Sequence, residues 1–197
     1  MSARGGDESV VQALAGLPPR VRQLHFPSRG VTAIGAAAIG AAIGDSGVHT
    51  LGLERNQLGD EGALALAAAI PGAAALTTLA LGDNHIGADG LEALLQALES
   101  SRVRVLDLGN SLLDGRRHNR FRAGGTAVRA LARYVASSQL TQLILRGCGL
   151  NQCCEEPCVG AASKNFIATM PLPRRLCLDC SVSHLHYHEQ AGVCATG

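Results

Sequence analysis

Tryptophan is absent from this chain, and aromatic residues make up only 3% of it. A core organised around large rings is therefore excluded, and burial has to come from aliphatic side chains in thin layers. Charge is also sparse, at 17% of residues with a net of +1, which argues against a general polyanion binder, so nucleic acid is not the expected partner. No long apolar run is present. The most hydrophobic window, Val31 to Ile43, has 13 residues, short of the roughly 20 that a membrane-spanning helix needs, so no membrane association is expected. Cysteine is missing until Cys148, and all seven lie between there and Cys194. An odd count with Cys153 and Cys154 adjacent points to reduced thiols rather than a disulfide framework. MSARGGDESV has no basic start followed by an apolar stretch, so it does not read as a secretory signal; a cytoplasmic or nuclear protein is expected. No Ser-His-Asp set, phosphate loop or paired-carboxylate motif is evident, so neither an enzyme nor a cofactor is expected.

What the chain does have is internal repetition. Val48, Leu51, Leu53, Asn56 and Leu58 stand at offsets 0, 3, 5, 8 and 10, and Leu76, Leu79, Leu81, Asn84 and Ile86 repeat them 28 residues later. Glycines follow in both copies (Gly59 and Gly87, Gly62 and Gly90). The second halves run Ala63, Leu66, Ala67, Ile70 and Leu91, Leu94, Leu95, Leu98, the i, i+3, i+4, i+7 spacing of one helix face. Leu51 and Leu53 alternate with small or polar neighbours, as on one face of a short strand. A strand that returns through a helix must pair in parallel with the next. One such unit cannot bury its apolar face alone; stacking supplies the partner. The asparagine falls where the chain leaves the strand, placed to bond backbone groups that a buried turn would leave unpaired.

This pattern resembles the leucine-rich repeat family. The LGDEGALALA and IGADGLEALL segments are similar to its ribonuclease-inhibitor-like subtype, found in NOD-like receptors and Ran GTPase-activating proteins. The resemblance covers roughly residues 20 to 180. It implies an α/β leucine-rich repeat solenoid of about six repeats, with parallel strands on the concave side and helices on the convex side. Strands sit about 4.8 Å apart and packed helices about 8–10 Å, so such a stack curves with its strands inside.

Taken in order, residues 1–6 are expected to be disordered, and 7–20 to form an N-terminal capping helix started by Asp7 or Ser9 and ended by Pro18 and Pro19. The array spans 21–181. Its first repeat carries Val21, Leu24 and Phe26, with Arg29 at the asparagine slot. Gly35, Gly40 and Gly44 weaken the helix that follows by about 1 kcal/mol each where they fall inside it. In the fourth repeat, Val103, Leu106, Leu108 and Leu113, Asn110 stands one place early, and about ten residues are inserted near 114–125. The helix then resumes at Val128, Leu131, Ala132 and Val135. Leu140, Leu143, Leu145, Cys148 and Leu150 form the fifth repeat, with a small cysteine at the asparagine slot. Val159 to Met170 reads as a helix and 175–178 as a sixth strand. Residues 182–197 form a cap or a frayed tail.

Three features bear on function. Strand-flanking residues Glu54, Arg55, Asp83, Asp107 and Arg146, joined by His25, His49, Thr50, Thr77, Thr78, Arg104 and Gln142, are expected to form a mixed-charge concave strip, a surface for a protein partner. No aromatic anchor accompanies them, so a tight contact would lean on arginine. The inserted loop adds Arg116, Arg117, His118, Asn119, Arg120, Phe121 and Arg122, whose arginines around one Phe are suited to acidic protein, phosphate or RNA, although a net charge of +1 argues against nucleic acid. Cys177, Cys180, His184, His186 and His188 could hold zinc, but the gap between Cys180 and His184 is too short for an ordinary finger, and no metal is expected. The expected function is a monomeric scaffold or regulatory module that binds protein. The family resemblance also leaves open a GTPase-activating type of regulator, although such proteins carry more repeats and an acidic tail.

Overall fold

The computed structural model describes residues 3–16, 20–44, 46–111, 118–121, 126–145, 147–148 and the strand at 177–179. Short strands alternate with helices. Helix α1 (Ala3–Ala15) precedes β1 (Gln23–His25), α2 (Ala33–Ile43), β2 (Thr50–Gly52), α3 (Gly59–Ala69), β3 (Thr78–Ala80) and α4 (Ala88–Leu98). Then come β4 (Val105–Asp107), α5 (Thr126–Ser137), β5 (Gln142–Ile144) and β6 (Cys177–Asp179). All strands pair in parallel, in chain order, in one six-stranded sheet. The register aligns Leu24, Leu51, Leu79, Leu106, Leu143 and Leu178 in a single row. A second buried row, Leu53, Leu81, Leu108 and Leu145, lies two residues on, and the helices close the core with Ile39, Leu66, Leu94 and Val135. Neighbouring helices pack closely. A side chain at Gly40 of α2 would press on Ala69 of α3, so the glycine that weakens α2 also lets the two layers meet.

Between the rows runs a ladder of side-chain amides. Asn56 Nδ2 donates to the carbonyl of Phe26 in the preceding layer (2.8 Å) and to that of Leu53 in its own (2.7 Å), while Oδ1 accepts from Arg29 N and Val31 N. Asn84 Nδ2 makes the same pair of bonds, to Leu53 O and Leu81 O, although its Oδ1 is buried with no hydrogen-bond partner. One amide thus reaches backbone groups of two layers at once. Cys148 occupies the slot in the fifth layer and does more than fill space: its thiol donates to Leu108 O of the preceding layer at 3.2 Å.

The fourth rung departs from the sequence reading. Asn110 does not take the slot. Asn119 does: its Nδ2 donates to Leu81 O and Leu108 O, both at 2.9 Å, and its Oδ1 accepts from Asn84 N and Ile86 N. Phe121, two residues on, is 1% exposed and stands where Leu58 and Ile86 stand in the layers before. From Leu108 to Asn119 is eleven positions, against three from Leu53 to Asn56. Eight extra positions (11 − 3) therefore lie ahead of the ladder asparagine, so most of the insertion precedes that residue rather than following it. Asn110 closes the base of this insertion. Its Oδ1 accepts from Asn119 N at 2.7 Å, and its Nδ2 donates to Asn119 O and Gly147 O.

The first helix also differs. It begins at Ala3, inside the segment expected to be disordered. Gly6 is buried against the chain at Arg29 and Gly30, where a Cβ would collide with the Arg29 carbonyl. Asp7 does not cap its own helix. Its carboxylate accepts from Thr32 N (2.8 Å), Thr32 Oγ1 (2.6 Å) and Gly35 N (3.1 Å), at the start of α2. Asp60 of α3 serves α4 likewise, accepting from Gly87 N at 2.7 Å and Gly90 N at 2.9 Å. A carboxylate on one helix thus satisfies the free N–H groups and the positive end of the next. Pro18, Pro19, Leu113, Leu150, Val159 to Met170 and 182–197 lie outside the described residues.

Two outcomes follow from this packing. Asn119→Ala leaves the Asn84 and Ile86 amides without their acceptor, and a buried unsatisfied group costs about 1–3 kcal/mol, so a total loss near 3 kcal/mol is expected in urea unfolding. Arg102, exposed, sets the scale: Arg102→Ala should stay within about 0.5 kcal/mol, and an equally small loss at Asn119 would mean that it is not a rung. The phenol of Tyr134, buried on α5, is pushed up to about 12 by desolvation and by the charge of Glu99. Its folded value lies above the unfolded one of about 10, so its share of stability is whole below pH 10 and fades as pH rises toward 12. In a Tyr187→Phe variant, which leaves Tyr134 as the single tyrosine, tyrosinate absorbance should rise with a midpoint near 12.

Candidate functional site

The sheet face turned away from the helices is built by the strand residues on either side of the buried leucine row. In register, one line reads Gln23, Thr50, Thr78, Val105, Gln142 and Cys177; the other reads His25, Gly52, Ala80, Asp107, Ile144 and Asp179. These rows are mostly small or uncharged, with Asp107 of the expected strip standing in the second of them. Charge gathers at the two edges. Along the strand starts, exposed Arg22 stands beside half-buried His49, and exposed Arg104 follows beyond Thr77. His49 Nδ1 bonds the Gly47 carbonyl at 2.7 Å and therefore carries the ring proton, which leaves Nε2 to accept from Arg22 Nη1 at 3.4 Å. Thr77, half-buried, returns its hydroxyl to His49 O.

The other edge, where strands turn toward helices, carries the residues singled out from sequence. Glu54 is half-buried, and its Oε2 is enclosed with no hydrogen-bond partner. Arg55 is exposed, at φ +62°. Asp107 is half-buried, with Oδ1 accepting from Gly109 N at 2.8 Å. Arg120 is exposed, while its amide donates to Ile86 O at 2.9 Å. Two candidates are not available to a partner. Asp83 is 4% exposed because the insertion covers it: its Oδ2 accepts from Ser111 N at 2.9 Å. Phe121 belongs to the core, since its position follows the ladder asparagine. Arg116, Arg117, Arg122 and Arg146 lie outside the described residues, as does the cysteine-histidine end beyond the backbone of β6. Among the described residues, no group of three or more His, Cys, Asp or Glu side chains could hold a metal ion.

Sequence reasoning placed His118 and Asn119 in the inserted loop and missed their roles, the ladder rung of Asn119 and the bond that His118 makes at the base of the insertion. His118 Nε2 lies 3.0 Å from the Ser111 carbonyl, which can only accept, so this nitrogen bears hydrogen; it stands 3.9 Å from Asp83 Oδ1. Both polar groups of the Ser111 backbone are thus held, the N–H by Asp83 and the carbonyl by His118. The pattern N-x-apolar recurs as Asn56-Gln57-Leu58, Asn84-His85-Ile86 and Asn119-Arg120-Phe121, but Asn110-Ser111-Leu112 carries it too, so sequence alone left two candidates for the slot.

A family profile described as "Leucine Rich repeat" matches residues 48–67 and 75–95, the two copies whose asparagines form the Asn56 and Asn84 rungs. The fold is a leucine-rich repeat solenoid. A solved structure described as "Leiomodin-1 Actin-Binding Site 2 (ABS2)" superposes with a TM-score of 0.61 at 17% identity, covering 83% of this chain and 86% of that one. A search of curated proteins found no match. As in the repeat, a parallel sheet offers its open face and the helices back it; among the described residues no helix is long and apolar enough to cross a membrane.

Phe121 and Arg120 give a direct check of this placement. Phe121→Ala should cost about 3–5 kcal/mol, the range for emptying a buried aromatic site. Arg120→Ala, next to it but exposed, should stay within about 0.5 kcal/mol. Thermal melts of the two variants decide it; similar shifts would take Phe121 out of the core.

Proposed function

We propose that this leucine-rich repeat protein is a protein-binding module that receives its partner on the open sheet face and the adjoining turn edge. The observation that carries this is the register: the strands align residue by residue in straight rows, a surface with little charge of its own, edged by exposed Arg55 and Arg120 and by half-buried Glu54 and Asp107. Such a surface matches an extended or helical protein segment laid across the strands, with the arginines meeting its acidic groups. The repeats belong to the ribonuclease-inhibitor-like subtype, the protein has no catalytic role, and it works in the cytoplasm or nucleus. The name of the leiomodin fragment adds actin as a partner to try.

Proximity labelling in the native cell, comparing wild type with an Arg55→Asp, Arg120→Glu double variant, tests this reading. Aspartate is tolerated at the positive φ of position 55. Partners on the sheet face should lose at least tenfold in labelling, while the fold is kept by circular dichroism; unchanged labelling would reject this surface. Co-sedimentation with filamentous actin, and GTP hydrolysis by small GTPases with and without the protein, separate an actin ligand and a GTPase regulator from a scaffold of another kind.

A further inference from the structure

The strand-start edge of the sheet is built as a ledge. One residue ahead of the strands the parallel pairing continues. His49 N and Thr50 N both donate to Arg22 O, Thr77 N and Thr78 N to His49 O, Arg104 N and Val105 N to Thr77 O, and Thr141 N and Gln142 N to Arg104 O, all at 2.7–3.1 Å. Arg22, His49, Thr77, Arg104 and Thr141 therefore stand in one line, each about 4.8 Å from the next, on backbone that the ladder holds. In the first and fourth layers the same three residues lead into the strand, Arg20-Val21-Arg22 and Arg102-Val103-Arg104. Val21 is half-buried and Val103 buried, and each leaves an exposed arginine on either side.

The charge on this ledge has one sign and no counterpart. None of the four arginines is paired with a carboxylate; Arg22 reaches only the His49 ring, at 3.4 Å. Among the described residues at 46–50, 70–78, 99–105 and 138–142, where helices end and strands begin, Glu99 is the single acid. It turns the other way, lining a groove with Arg133 of α5 and acting on Tyr134. A fixed row of exposed cations is complementary to an anionic partner. The spacing narrows its shape. Arg22 and Arg104 lie three strand spacings apart, about 14 Å, while an extended chain advances about 3.4 Å per residue and shows alternate side chains on one side, so its residues i and i+4 fall about 13.6 Å apart on one face. His49 and Thr77 fill the interval. No Phe, Tyr or Trp stands in this row to stack a nucleic-acid base, which favours protein over a polynucleotide.

We propose that this ledge binds an extended acidic protein segment that crosses the strand starts and sets its carboxylates on Arg22 and Arg104. The proposal rests on the sheet face as a protein-binding surface and adds to it the opposite edge and the sign of the partner. Fluorescence anisotropy of the full chain with a labelled peptide of about 12 residues alternating glutamate and glycine, long enough to span the row, tests it. Binding should weaken at least tenfold in an Arg22→Gln, Arg104→Gln double variant and disappear in Arg22→Glu, Arg104→Glu, both folded by circular dichroism and melting; should the acidic pair fail to fold, the neutral pair decides. A peptide alternating lysine and glycine should not bind. The Arg55→Asp, Arg120→Glu variant, altered at the far edge, should bind the acidic peptide within about twofold of wild type. Ledge variants that bind like wild type would overturn the proposal and leave the sheet-face reading standing, whereas unchanged cell labelling by the Arg55, Arg120 variant would reject the turn edge alone. No peptide binding up to about 1 mM, the weak end of specific recognition, would also overturn it. So would a single-stranded oligonucleotide of equal charge that binds more tightly and is lost with the same substitutions.

Discussion

Everything in this solenoid depends on satisfying the backbone at the buried turn between strand and helix. The turns lie inside the array, out of reach of water, and a strand only three residues long cannot pair all the polar groups around it. Unpaired, each buried group would cost about 1–3 kcal/mol, comparable to what burying a neighbouring leucine contributes. The asparagine amide removes that cost with the shorter of the two amide side chains, which carries two N–H donors and a carbonyl acceptor, and directs them to two layers simultaneously. Asn56 bonds backbone atoms as far apart in sequence as Phe26 and Leu53. The layers are thereby fixed in register before any helix contact is counted, and the leucine rows can align because the turns already do.

A second link joins the layers on the helix side. Asp7 and Asp60 each project from one helix to the beginning of a neighbour, so a group that would cap a single helix in isolation ties two together. At the amino-terminal end this has particular weight, because α1 has no strand of its own in the sheet and is attached through Asp7, through buried Gly6 and through Val10, which is 1% exposed. The end layer is closed partly by a carboxylate rather than by apolar area alone.

The leucine rows, the parallel sheet and the alternating helices were legible because period and offset survive in the text: Leu51, Leu79, Leu106 and Leu143 recur with the spacing that the register then shows. Asn119 was not, because eleven positions separate it from Leu108 and Asn110 offers a nearer decoy of the same residue type. The apolar residue two places on does not separate them, since Leu112 follows Asn110 as Phe121 follows Asn119; the choice is made by which amide reaches Leu81 O and Leu108 O. Asp83 follows a strand in the expected way and still ends up buried, since what covers it comes from a neighbouring layer 28 residues later. Asp7 was misassigned for a similar reason. A carboxylate near a helix start reads locally as that helix's cap, and the choice between two helices is made by packing. Of the candidate surface, the strand rows could be placed from periodicity, but the location of charge at the edges depended on where each turn bends.

The pinched base of the insertion has a consequence for how such a protein can vary. Asn110 and Asn119 exchange bonds across nine positions, so the segment between them begins and ends at nearly one point, and the ladder downstream sees the same geometry whatever its length. Lengthening a closed loop is inexpensive in entropy, roughly 0.6 kcal/mol for each doubling. This turn is therefore a port in the architecture: new peptide could be grafted between Ser111 and His118, and the solenoid would carry it without rebuilding a single rung.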